Sequence, residues 1–275
     1  MAMGFYFKLG YKIMKAVILA GGLGTRLGEE TIIRPKPLVE IGGKPIIWHI
    51  MKHYSHYGIN DFVVLLGYKG YMIKEFFDNY RRHLYDMKID FKHNKSEVLR
   101  SSLNIEEENW TIELIDTGEH SMTGGRLKRA YKYLKDEESF CLTYGDGVSD
   151  VNIEKEIKFH KEHGKTATMT AVFPPARWGA ISINNDSMIT EFIEKPKGDN
   201  AYINGGFFVL NTKIFDYIYG DSTIFEQEPL RGLARDKELV AFKHDGFWQC
   251  MDTQRDKALL ENMWNKGNAP WKTWK

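Results

Sequence analysis

The strongest chemical signal in the chain is a glycine-rich stretch after an apolar run, Gly21-Gly22-Leu23-Gly24-Thr25-Arg26-Leu27. Glycines at this density let backbone N–H groups turn toward an anion, and Arg26 adds a fixed charge. Two phosphate-binding patterns can be tested against it. A dinucleotide fingerprint begun at Gly22 requires glycine at 27, where Leu27 stands. A Walker pattern begun at Gly21 requires Gly-Lys at 26 and 27, where Arg26 and Leu27 stand. Both fail, so taken alone the loop is either a phosphate site or a tight strand-to-helix turn. Lys36 follows between Pro35 and Pro37, which restrict its backbone and aim its ammonium.

Two aspartates, Asp146 before Gly147 and Asp252 before Thr253, each close an apolar run. Each has an ordinary local reading, a hairpin turn for the first and a helix cap for the second. The hairpin is the weaker, because residues 148–152 lead into a helical pattern and not into an alternating return strand. His160 and His163 stand at i, i+3 on that helix without a suitably spaced third metal ligand, and a solvated helix end is the preferred reading. Only Cys141 and Cys250 are present, too few for a disulfide framework or a four-cysteine zinc site. No Gly-x-Ser-x-Gly elbow occurs.

The elements that must position these residues follow from periodicity. Short apolar runs predict strands over 16–19, 62–66, 112–115, 140–143, 167–172, 180–183, 189–194, 207–210 and 240–243. Amphipathic stretches predict helices over 46–57, 71–79, 124–133, 153–163, 213–219 and 253–264. The alternation is that of an α/β domain with a largely parallel sheet. The more polar section 81–109 suggests an inserted hairpin on that sheet. Residues 14–275 read as one domain, and residues 1–13 as an upstream extension without chemistry. Across the 275 residues, 38 Lys and Arg face 37 Asp and Glu, a net charge of +1 that gives no general pull toward nucleic acid or anionic membrane. No apolar run approaches the roughly 20 residues of a membrane helix. A reducing cytoplasm is the expected location.

Taken together, the motifs are specific. The glycine loop, Pro35-Lys36-Pro37-Leu38, Gly43-Lys44-Pro45-Ile46, Gly124-Gly125-Arg126-Leu127, Tyr144-Gly145-Asp146-Gly147, Glu194-Lys195-Pro196 and Asn204-Gly205-Gly206-Phe207 resemble, in this order, the sugar-phosphate nucleotidyltransferases. The likeness runs from Met14 to the C-terminus. It is greatest to the branch that uses CTP and glucose 1-phosphate, through Glu29-Glu30-Thr31, Ser121-Met122-Thr123, Phe173-Pro174-Pro175, Gly246-Phe247-Trp248-Gln249 and Ala269-Pro270-Trp271.

The resemblance implies a Rossmann-like three-layer fold with a mixed, mostly parallel sheet and a small inserted β segment. It implies attack by a sugar 1-phosphate on the α-phosphorus of a nucleoside triphosphate, giving a nucleoside-diphosphate sugar and pyrophosphate. Arg26, Lys36, Asp146 and Asp252 would be catalytic, with Mg2+ held by the two aspartates. Leu19, Ala20, Gly21, Gly22, Gly24, Thr25, Ser121, Gly125, Arg126 and Gly145 would join Arg26 and Lys36 around the nucleotide. Gly179, Glu194, Lys195, Asn204 and Gly205 would hold the sugar phosphate. A homo-oligomer such as a hexamer is expected, with section 81–109 or the C-terminal tail at an interface, and Trp271 and Trp274 packed on the core or on a neighbour. The competing readings are a sister enzyme using UTP or dTTP, a non-catalytic nucleotide-sugar-binding homologue, and, disfavoured by the failed fingerprint, a dehydrogenase.

Overall fold

A computed structural model describes residues 14–99, 108–174, 180–183, 187–193 and 201–274. The upstream extension and the expected sugar-phosphate residues Gly179, Glu194 and Lys195 lie outside the described residues.

Seven strands form the main sheet: β1 (Lys15–Ala20), β2 (Asp61–Leu66), β3 (Thr111–Asp116), β4 (Ser139–Tyr144), β5 (Ala167–Val172), β6 (Ile203–Asn211) and β7 (Leu239–His244). Their order is β7-β5-β6-β4-β1-β2-β3, and all but β6 run in one direction. The central strands are apolar on both faces, as a sheet covered on both sides requires. Ala16, Ile18, Phe62 and Val64 point into one core, with α1 (Ile46–His56) and Leu260 of the C-terminal helix. Val17, Leu19, Val63 and Leu65 point into the other, with Leu127 of α2 (Thr123–Arg129) and Leu233. Alternation along each strand thus builds three layers. The predicted helix over 153–163 is α3 (Ile153–His163), and the C-terminal one is α4 (Gln254–Asn265).

Several expectations are corrected. The hairpin, Asp86–Asp90 with Lys95–Leu99, forms its own two-stranded sheet and does not join the main one. The helix expected over 124–133 breaks between Thr123–Arg129 and Tyr131–Leu134, and Thr212–Tyr217 is a 3-10 turn. His160 is no solvated helix end: it is buried, and both His160 and His163 share the Thr168 hydroxyl. Of the two places expected for the tail tryptophans, the core of their own chain is the one observed. Trp271 is fully buried, stacked on Phe247 and Trp264, and Trp274 meets Trp48 edge-on.

Candidate active site

Strand β1 has β2 on one side and β4 on the other, so the connections leaving β1 and β4 diverge and open a crevice at their carboxyl ends. Such a switch point is where open α/β sheets bind ligands. Here a cavity of about 600 Å3 opens, lined by Leu19, Ala20 and the glycine loop on one side and by Tyr144, Gly145 and Asp146 on the other. A smaller recess of about 230 Å3, bounded by Asn204, Gly205, Trp248 and Cys250, shares Arg26, Tyr144, Asp146 and Asp252 with it.

The glycine loop owes its course to Gly24, whose φ of 64° is left-handed and whose missing Cβ leaves room for Thr31 and Lys36. Its next residues make a 3-10 turn, Thr25–Leu27, that carries Arg26 over the cavity. Lys36 opens a second such turn between its two prolines, and the Leu38 N–H donates to the Pro35 carbonyl. That places the buried Lys36 ammonium 2.6 Å from Asp146 Oδ2 and 2.6 Å from Asp252 Oδ1. Arg26 reaches the other Asp252 oxygen at 3.0 Å.

The two aspartates meet through a device that no motif announces. Gly147–Ser149 pairs antiparallel with Trp248–Cys250, and the Met251 N–H donates to the Asp146 carbonyl. Asp252 is therefore no helix cap. Thr253 caps α4, in a capping box with Asp256, which frees the Asp252 side chain for the cavity. Nor does Asp146-Gly147 make a hairpin turn, since Gly147 enters the short ladder.

Burial alone would lower the lysine's pKa, but Asp146 and the hydrogen bonds to both aspartates hold it above the ordinary lysine range. Burial alone would raise the Asp252 carboxyl, and Lys36 with Arg26 holds it below the usual carboxylate value. The cluster is a fixed alternation of charge, open to the cavity. Oxygens of Asp146 and Asp252 and the Cys250 sulfur lie within 4.8 Å of one another, close enough to hold a cation.

Every residue expected around the nucleotide lines the larger cavity except Gly125. A Cβ at Gly125 would meet the Asp221 carbonyl at 2.3 Å, and one at Gly124 the Thr223 carbonyl at 2.8 Å. Both N–H groups donate to the Thr223 carbonyl. These glycines admit a neighbouring backbone segment, and Gly125, expected at the nucleotide, does not line the cavity. Arg126 is likewise spent internally: its guanidinium donates to the carbonyls of Gly21, Leu66, Gly118 and Glu119 and to the Thr117 hydroxyl. It ties together the loops that leave β1, β2 and β3 while lining the cavity.

Of the expected sugar-phosphate residues, Asn204 and Gly205 border the recess. Tyr144, Thr123, His120, Trp248 and Cys250 line these spaces without having been singled out in the sequence. All five lie within or beside quoted motifs, and that adjacency is the available signal.

A mixed α/β sheet with a crevice at its switch point, lined by lysine, arginine and paired carboxylates, has the form and charge of a site for phosphorylated ligands. The chain belongs to the nucleotidyl transferase family, whose profile matches residues 15–264. It is 60% identical over 261 residues to a glucose-1-phosphate cytidylyltransferase of Salmonella typhimurium, covering 95% of this chain and 100% of that protein. A probable glucose-1-phosphate cytidylyltransferase of Bacillus subtilis is 44% identical over 266 residues, with the same coverage. Among solved structures, HddC from Yersinia pseudotuberculosis shares the fold with a TM-score of 0.64 at 24% identity, covering 91% of this chain and 99% of that one.

Proposed function

We propose that the chain transfers the cytidylyl group of CTP to α-D-glucose 1-phosphate, giving CDP-glucose and pyrophosphate. The reaction type rests on one observation, the convergence of Lys36, Arg26, Asp146 and Asp252 where two connected cavities meet. The substrates rest on the 60% identity with the Salmonella typhimurium cytidylyltransferase.

The nucleophile, a sugar phosphate oxygen, is already ionised, so the protein supplies charge neutralisation and in-line placement in preference to a general base. Arg26, exposed above the loop, meets the leaving β- and γ-phosphates. Lys36, on the wall of the larger cavity and held by both aspartates, meets the α-phosphate, where charge shifts in the transition state. Asp146 and Asp252 offer adjacent hard oxygen donors, a set that suits Mg2+ completed by phosphate oxygens and water. When bound, Mg2+ supplies neutralisation between the two phosphorylated substrates. By resemblance, Lys195 and Glu194 take the sugar phosphate and the sugar hydroxyls.

The expected homo-oligomer finds support in the hairpin Asp86–Asp90/Lys95–Leu99, where Phe91 is 90% and Ile89 56% exposed. Light scattering that reports only monomer at working concentration removes it. Cytoplasmic residence is proposed on the two free cysteines. Among the described residues no helix is long and apolar enough to cross a membrane.

The deciding experiment is pyrophosphate release with Mg2+ over a grid of nucleotides and sugar phosphates. CTP with glucose 1-phosphate should lead, well ahead of ATP and GTP, and a chelator should stop it. A purine preference overturns the assignment, and a UTP or dTTP preference moves it to a sister activity.

A further inference from the structure

Residues 221–226 run along the start of α2 and hold it. Asp221 O accepts from the Met122 N–H, Thr223 O from the N–H groups of Gly124 and Gly125, and the Asp221 carboxylate pairs with Arg129. The segment ends at Glu226, whose two carboxylate oxygens both accept from side chains. Oε2 takes the Thr123 hydroxyl at 2.7 Å, on the wall of the larger cavity. Oε1 takes the Tyr144 hydroxyl at 2.5 Å. Tyr144 belongs to both the cavity and the recess, while Glu226 lines neither.

The two partners depend on Glu226 unequally. Thr123 Oγ1 also accepts from the Phe225 N–H at 2.9 Å, so it stays anchored without the carboxylate. Among the described residues the Tyr144 hydroxyl otherwise has only the Asn204 amide, at a long 3.3 Å. Asn204 in turn accepts from the Gly206 N–H, and Gly206, at φ 78°, lacks the Cβ that would press on the tyrosine ring at 2.6 Å. The ring is therefore laid against β6 by shape but fixed at its tip by Glu226. A charge-assisted bond of this kind is roughly twice as strong as a neutral one.

We propose that Glu226 is a positioning residue for the acceptor recess, setting through Tyr144 and Asn204 the wall against which the sugar phosphate is placed. This rests on the reading of the recess as the sugar-phosphate side. It touches no substrate. Its loss should therefore weaken use of the acceptor selectively, leaving nucleotide use and the reacting groups in place.

The test compares Glu226→Ala, Glu226→Gln, Tyr144→Phe and the Glu226→Ala/Tyr144→Phe double variant, by steady-state kinetics in both substrates and by melting. Glu226→Ala should raise KM for glucose 1-phosphate about tenfold and KM for CTP less than about threefold, with kcat nearly kept. Glu226→Gln, which retains an acceptor oxygen for the tyrosine, should recover most of the loss. The double variant should be little worse than Tyr144→Phe alone, because both substitutions remove the Glu226–Tyr144 bond and Thr123 keeps its Phe225 anchor. An unchanged acceptor KM in Glu226→Ala, an equal rise in both KM values with a lowered Tm, or additive losses in the double variant would overturn the proposal. Product analysis of the wild-type chain keeps the two readings apart. If another nucleotide is preferred, the proposed function fails while the same KM split is still read with that nucleotide.

Discussion

At the carboxyl edge of β1 and β4, Lys36, Arg26, Asp146 and Asp252 sit in contact, and Lys36 and Asp252 are held in their charged forms. Under the same sheet, α1 carries His49 and His53, which are just as titratable and are held neutral. Burial pushes each down to about 4. For His49 the bond from an indole points the same way. His49 Nε2 donates to the Ile41 carbonyl, which leaves Nδ1 to accept from the Trp271 indole N–H at 3.3 Å. A second ring proton would set two donors face to face. His53 Nε2 likewise meets a carbonyl, that of Val151, but its Nδ1 meets the Thr273 hydroxyl, which can donate or accept, so for His53 burial alone decides. The difference lies in partners and water. Opposite charges beside an open cavity preserve ionisation, whereas burial inside an aromatic layer abolishes it even though the carbonyl acceptors pull the other way.

The largest effect should come from breaking the charged region. Lys36→Ala, Asp146→Asn and Asp252→Asn should each cut turnover at saturating substrate by about 10²–10³-fold or more. The Asp146→Asn/Asp252→Asn double variant should be little worse than either single, since the two act as a unit. Melting and turnover are to be measured on the same samples. Asp252→Asn with lowered melting but full turnover per folded molecule would move this aspartate into the architectural class. Near-normal turnover by Lys36→Ala would make its ammonium a mere counterion to the two carboxylates.

Breaking the neutral region should cost stability and leave chemistry alone. Trp271→Ala removes a fully buried indole that stacks on two aromatic rings and donates to His49, and should cost about 3–5 kcal/mol with turnover per folded molecule unchanged. Acid should act on the same layer. His49, His53 and the buried His160 are each lowered to about 4 in the fold against an ordinary value near 6.5. Between those values the unfolded chain binds more protons, so stability should fall as pH drops from about 6.5 to 4. His49→Gln should flatten that fall in melting curves at pH 7, 6 and 5. An undiminished pH slope in His49→Gln would mean that the imidazole is charged inside the fold.

Much of this division was legible in the sequence. The central strands announce themselves because a sheet covered on both faces reads as short, unbroken apolar runs, and α1 because Ile46, Ile47, Ile50, Met51 and Tyr54 share a face. Most residues lining the larger cavity follow motif text. What stayed hidden depends on contacts between distant segments. The three-residue ladder that brings Asp146 to Asp252 is too short to carry a period. Gly125 was expected at the nucleotide, yet it and Gly124 make room for the passage of residues 221–226. The helix Glu228–Arg235 did carry a signal, Pro229 in its first turn, that the sequence reading passed over. Glu226 has no motif at all, and its role exists only where β4 and α2 converge.

The smallest effect expected sharpens the comparison, because Glu156 is a carboxylic acid in the neutral class. It lies on α3, fully enclosed, with the Thr170 hydroxyl donating to Oε1 at 2.6 Å. Burial raises it from the usual 4.5 to about 7, with the Thr170 bond pulling the other way. Its carboxylate relatives at the cavity have a cation in contact, and Glu156 has a hydroxyl instead. The sign follows from proton counts: between about pH 4.5 and 7 the unfolded chain has released this proton while the folded one keeps it. Stability is therefore lost as pH rises through that window, with the loss complete above it and on the order of 3 kcal/mol at most. Glu156→Gln keeps an acceptor for Thr170 and has no charge to bury. It should melt like the wild type near pH 4.5 and several degrees higher at pH 8, with turnover unchanged. A melting difference of the same size at both pH values would show that Glu156 does not change its ionisation on folding.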